Sequence, residues 1–124
     1  MLDFYVSAVD WTDTSSSKTV VGRRARLHGI HVTTAPVSTS LDVKAIELRN
    51  GSASGDILYK VAVPSGRYYN AATDDYTTTF TPVPLMFGGN GILFTDGIYA
   101  DMADGPVSGS SAGNGVENVV FFFV

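Results

Sequence analysis

Cysteine is missing from all 124 residues, which rules out a disulfide scaffold, a zinc ribbon and a thiol nucleophile. Charge is sparse as well. Asp, Glu, Lys and Arg together make up 16% of the chain, against about 25% in an ordinary soluble domain. The charge present leans acidic, with a formal net charge of −4. A phosphate backbone would be repelled on average, so nucleic acid is not an expected partner. No stretch approaches the ~20 apolar residues of a membrane helix. Met1-Leu2-Asp3-Phe4 has neither the basic region nor the apolar run of a secretory leader, so no membrane partner is expected. Helical periodicity is lacking too: no window keeps apolar residues at helical spacing for three turns.

Ser, Thr and Gly fill the space that charge leaves. Gly and Pro interrupt the chain roughly every ten residues, the rhythm of short strands in a sandwich or barrel. Leu2 to Val9 alternates, with Leu2, Phe4, Val6 and Ala8 on one face, and the polar stretch Asp10 to Lys18 reads as a loop. Thr19 to Val21 and Arg24 to Thr33 follow as strands. Within the second, Ala25 and Leu27 share one parity while Ile30 and Val32 have the other. Gly29 sits at the change of phase, where a β-bulge would reconcile the halves. The clearest hairpin is Asp42 to Arg49, a turn over Asn50 to Gly55, then Asp56 to Val63, with Ile57, Tyr59, Val61 and Val63 on one face. Arg67 to Asp75 reads as an exposed, Tyr-containing excursion, and Tyr76 to Phe80 as a strand. Pro82 and Pro84 restrict Thr81 to Leu85 to an edge or a connector. Ile92 to Thr95 and Ile98 to Met102 are short strands, and Gly105 to Gly115 is a loop. The apolar stretch Val116 to Val124 must be a central strand or be covered, since left open it would aggregate. The expectation is one all-β domain over residues 1–124, a compact β-sandwich, jelly-roll-like or immunoglobulin-like, of about eight short antiparallel strands.

Chemistry finds little purchase in this pattern. Gly109-Ser110-Ser111-Ala112-Gly113 matches a nucleophile elbow with Ser111 in the nucleophile position, but a helix should follow and a His should come later. His28 and His31 both come earlier. Three residues apart on a strand, they tend to opposite faces unless the Gly29 bulge rotates one. Asp96, Asp101 and Asp104 do not follow the alternating ligands of a calcium loop. Gly89-Asn90-Gly91 lacks the third glycine of a dinucleotide fingerprint. Asn50-Gly51-Ser52 is a formal glycosylation sequon without a leader. No catalytic residue, metal or cofactor is therefore expected, and the chain reads as a non-enzyme. Partner contact is the better use of its unusual residues. Arg23, Arg24 and Arg26 form the one basic cluster, suited to carboxylates of a neighbouring subunit. Trp11, Tyr68 and Tyr69 belong to the residue types that anchor interfaces.

The cadence Arg24-Ala-Arg-Leu-His-Gly-Ile-His-Val32, then Ile46-Glu-Leu-Arg-Asn-Gly-Ser-Ala-Ser-Gly55 into Ile57-Leu-Tyr59 and Pro64-Ser-Gly66, resembles small β-rich virion proteins of marine tailed bacteriophages, podovirus-like cyanophages included. Gly89-Asn-Gly-Ile-Leu-Phe94, Gly97-Ile-Tyr99 and Val116 to Phe123 continue it. The first residues and the Tyr-rich excursion depart from the pattern. The resemblance implies a capsid decoration or cement protein on the capsid surface of the virion, assembled in the host cytoplasm. Its partners would be the major capsid protein and further copies of itself around a symmetry axis, a trimer being one arrangement. The N-terminal strand would be available to extend a neighbour's sheet. The same fold would also serve in a tail, neck or fibre attachment, or as a carbohydrate-binding module.

Overall fold

The computed structural model describes residues 7–12, 16–34, 44–63, 67–70, 75–78, 82–102 and 116–124, with backbone alone at 34, 44, 62–63, 67–70, 75–78, 82–83 and 117. Every regular element among them is a strand. They are β1 Ser7–Trp11, β2 Ser17–Val21, β3 Ala25–Thr34, β4 Lys44–Asn50, β5 Ile57–Val63, β6 Arg67–Asn70, β7 Asp75–Thr78, β8 Pro82–Met86, β9 Ile92–Phe94, β10 Ile98–Asp101 and β11 Val116–Phe123. Sheet A has the order β1-β11-β3-β8, with β9 also on β3, and sheet B the order β2-β10-β4-β5. All pairings are antiparallel. Strands β8 and β9 follow one another along β3, opposite Gly29 to Thr33 and Ala25 to Leu27 respectively. Nine strands thus make eight rows.

The pairings nest. Strand β4 pairs with β5, β3 with β8 and β9, β2 with β10, and β1 with β11. The chain is folded in half around the Asn50 to Asp56 turn like one long hairpin. Rolling that ribbon over itself brings β11 beside β3 and β10 beside β4. This is the strand order of a jelly roll, two interlocked Greek keys, and it excludes the immunoglobulin-like alternative within the sandwich class. The two sheets share one core. Trp11, Leu27, Ile30, Val32, Phe94, Val119 and Phe121 come from sheet A, and Val20, Ile46, Leu48, Val61, Ile98 and Ala100 from sheet B. Tyr59 on β5 meets Phe87, just after β8, edge to face with ring centroids 4.9 Å apart. That contact joins the two sheets along one margin of the sandwich.

The expected bulge at Gly29 is present. Phe122 stands opposite Gly29 while Phe123 stands opposite Leu27, which leaves His28 as the extra residue. The bulge lets Leu27 and Ile30, of opposite parity, both enter the core, where both are fully buried. Gly29 is also a matter of space: a Cβ there would lie 2.6 Å from Met86 Sδ and 3.0 Å from the Leu85 carbonyl oxygen. Gly91, at φ 71°, makes a comparable step possible between β8 and β9, because a Cβ there would strike the Leu27 carbonyl.

Three local expectations are corrected. Strand β1 covers Asp10 and Trp11, both expected in a loop, and Ser17 and Lys18 already belong to β2. Ala8, expected on the apolar face of its strand, is exposed, while Trp11 and the half-buried Val9 take the inner parity. Ile57 does not share the core face of Tyr59 and Val61. A register shift after Leu48 leaves Leu58 without an opposite number and sets Ile57 against Arg49, 38% exposed. The Tyr-containing excursion is itself a hairpin, β6 with β7. The expected strand residues Leu2 to Val6 and the loop Gly105 to Gly115 lie outside the described residues.

Adjacent phenylalanines on β11 test the register. Phe121 is fully buried and Phe122 only partly so. In dilute solution, Phe121→Ala should lower the unfolding free energy in urea by about 3–5 kcal/mol, and Phe122→Ala by about 1 kcal/mol. Equal losses would contradict the alternation.

Candidate interaction surface

Of the residues expected to make contacts, Trp11 does not share a surface with the arginines. Arg23 and Arg24 are exposed at the corner between β2 and β3, where Arg23 Nη1 donates to the Arg24 carbonyl at 3.1 Å. Arg26 lies within β3, half-buried, its Nη1 3.5 Å from the Asn90 carbonyl oxygen. Trp11 is a correction. It stands opposite Val119 and is 0% exposed, so it is a core residue and no surface anchor. Tyr68 and Tyr69 pair along the backbone with Thr77 and Tyr76 on the β6–β7 hairpin. Their side chains, like Ser111 and Asp104, lie outside the described residues. The described part of the N-terminal strand, β1, pairs on one side with β11 of its own chain and is the end strand of sheet A; the rest of that strand, Leu2 to Val6, lies outside the described residues. His28 and His31 both lie half-buried, away from the core parity of Leu27, Ile30 and Val32. Among the described residues no three His, Asp or Glu side chains gather as metal ligands would. No helix there is long and apolar enough to cross a membrane.

The two sheets present opposite kinds of outer face. On sheet B, β4 alternates Ile46 and Leu48 inward with Glu47 and Arg49 outward. Arg49 Nη2 donates to Glu47 Oε2 at 2.8 Å, and Lys60 Nζ is 3.5 Å from Glu47 Oε1. Arg49 Nη1 donates to the Gly55 carbonyl at 3.1 Å. Tyr99 and Asp101, half-buried on β10, stand opposite Arg49 and Glu47. This centre is polar and internally paired, as on a solvated antiparallel sheet, while at the edge strand β5 Ile57 and Leu58 are exposed.

Sheet A departs from that rule. The registers set Ala8, Phe122, Gly29 and Met86 side by side across four strands, and Asp10, Val120, His31 and Pro84 in the next row. Met86 is 72% exposed, the most open large apolar side chain described. Polar groups gather at one end, where Asn118 Nδ2 donates to Asp10 Oδ1 at 3.1 Å beside Thr33. Sequence reasoning found Val116 to Val124 but not this face. The signal was the run Val119 to Val124, apolar at both parities, which a strand with one solvated face does not carry.

The edges of the sheets are guarded. The Phe87 amide donates to the His28 carbonyl at 2.9 Å, so odd positions of β8 turn their amides toward β3. The even positions turn outward, and there Pro82 and Pro84 have no N–H to offer. The edge strands β5 and β2 carry Lys60 and Lys18, and β1 carries Asp10. Such residues discourage strand addition.

No protein-family model, curated protein or solved structure matches the chain. Fold and surface therefore speak for themselves, and they define an antiparallel jelly roll with an ion-paired centre on one outer face and an apolar centre, bordered by polar residues, on the other.

The sequon asparagine has a structural use. Asn50 Nδ2 donates to Thr95 Oγ1 at 3.0 Å and to Asp96 Oδ2 at 3.2 Å, and Asn50 Oδ1 accepts from the Asp96 amide at 2.9 Å. These bonds tie the β4–β5 turn to the β9–β10 turn. Asn50→Ala should cost about 1–3 kcal/mol in urea unfolding, with amide exchange accelerated at Asp96. An unchanged midpoint and an unchanged Asp96 amide would show that the tie is idle.

Proposed function

We propose that this chain is a non-enzymatic structural protein of a virion, a decoration or cement protein bound to the assembled head of a tailed phage. One observation carries the reading: a jelly roll whose edges are guarded still leaves an apolar centre on the outer face of sheet A, where Phe122, Val120, Pro84 and Met86 lie among Asp10 and His31. Apolar faces of this kind mark contact with other molecules. The resemblance of the Arg24 to Val32, Ile46 to Gly55 and Val116 to Phe123 cadences to phage virion proteins supports the same assignment.

The mechanism follows from linkage. A protein that binds the assembled shell and not its separated subunits shifts the equilibrium toward the shell, and the shift grows with occupancy. Neither catalysis nor a cofactor enters. The major capsid protein is the proposed principal partner, its carboxylates meeting Arg23 and Arg24, which are exposed at a corner. The carbohydrate-binding alternative rested partly on an exposed tryptophan, and burial of Trp11 removes that support.

Mixing the purified protein with shells that lack it tests the assignment. Binding should saturate at a fixed stoichiometry, and shells carrying it should withstand heat better. Copy number per particle should be on the order of hundreds, as repeating shell symmetry requires; a dozen or fewer would move the protein to the tail or neck. Failure to bind mature shells would sink the head assignment.

A further inference from the structure

The geometry points to the outer face of sheet A as a self-association surface, which takes a second copy of this chain face to face about a two-fold axis through Phe122. This deepens the proposed function by naming one partner, and it rests on that reading for its purpose.

Three rows of the sheet carry the argument. In the middle row Ala8, Phe122, Gly29 and Met86 lie abreast. Since a Cβ at Gly29 would come within 2.6 Å of Met86 Sδ, the Met86 side chain lies across the glycine. The bare glycine thus makes a shallow saddle beside Phe122, occupied by a flexible, polarisable thioether that can repack against an incoming ring. On the next row Asp10 stands opposite Val120. On the row below, the amides and carbonyls of Arg26 and Val124 bond each other at 2.9 Å in both directions.

Charge identifies the occupant as a copy of the same face. Asp10 lies one row from Phe122 and one strand to one side, on β1. Arg26 lies one row the other way and one strand to the other side, on β3. Phe122 is the midpoint of that diagonal. Two like faces can oppose each other only about a two-fold axis in the plane between them, and such a contact is self-complementary. An axis through Phe122, at right angles to the diagonal, stacks Phe122 on Phe122 and sets Asp10 of each copy against Arg26 of the other. Asp10 is exposed and its carboxylate accepts only from the neutral Asn118 among the contacts described, while half-buried Arg26 makes a long contact with Asn90 at 3.5 Å, so neither charge is neutralised by an opposite one there. The guarded edges direct association to the face instead of toward an added strand.

Size sets the strength. Four strands spaced about 4.8 Å apart and a few residue pairs long give on the order of 400–500 Å² per copy. The pair covers about 800–1,000 Å², below the standard of about 1,600 Å². The isolated dimer is therefore weak, and on a repeating lattice the same contact gains from avidity.

Sedimentation equilibrium of the purified full chain from about 1 μM to 1 mM tests this apart from any shell. The expected result is a monomer–dimer equilibrium that tightens at low salt. Met86→Glu, at a site open enough to leave folding intact, should weaken it at least tenfold. D10R and R26D should each weaken it several-fold, and the double variant D10R/R26D should return it to within about threefold of the parent, with circular dichroism showing all four folded. A monomer throughout the range, a trimer, or a double variant no tighter than the singles overturns the inference. A chain that dimerises yet ignores shells sinks only the proposed function, and one that coats shells while never dimerising sinks only this inference.

Discussion

Strand β11 carries a constraint that the rest of the molecule meets. It is hydrogen-bonded on both sides, to β1 and to β3, and from Val119 onward it is apolar on both faces. Its inner side chains Val116, Val119, Phe121 and Phe123 are buried in the shared core. Its outer ones, Val120 and Phe122, have no second sheet above them among the described residues. Burying the inner set requires sheet B beneath. Satisfying the backbone requires neighbours on both edges, one from the first stretch of the chain and one from the bulged strand β3. Both demands draw distant segments to a single strand, and the outer face is what remains.

The nested topology follows from the same constraint. In the chain, β4 and β5 are close and β1 and β11 are far apart, and each pairing between these limits encloses the one inside it. Local closure costs little entropy, and distant closure costs more. The Asn50 to Asp56 hairpin is the natural first element, and the β1–β11 seam the natural last. High contact order of this kind goes with slow folding. Guarded edges then have a second purpose: Pro82, Pro84 and Lys60 protect strands that must wait for partners.

The two outer faces place their charges differently. Glu47, Arg49 and Lys60 pair their charges with one another on sheet B, which leaves those charges little to offer a partner. On sheet A the opposed charges Asp10 and Arg26 stand apart across an apolar centre. In the proposed self-association, such separated complementary charges would orient the encounter and the apolar centre would supply contact energy.

Strand identity, the Asn50 turn, the Gly29 bulge and the central place of Val116 to Val124 were legible in the residues, because parity and turn chemistry are local. Glycine at a change of phase and an apolar run at both parities each have one economical explanation. Register shifts were not legible. The extra residue at Leu58 turned Ile57 outward, and nothing in the alternation of β5 announces it. Trp11 looked like a surface anchor because polar residues surround it in the chain, yet its pairing with Val119 takes it into the core. The choice of jelly roll over other sandwiches, and the convergence of Ala8, Phe122, Gly29 and Met86 on one row, depend on pairings between segments far apart in sequence. Such pairings are decided by how the whole core packs, which only the tertiary structure expresses.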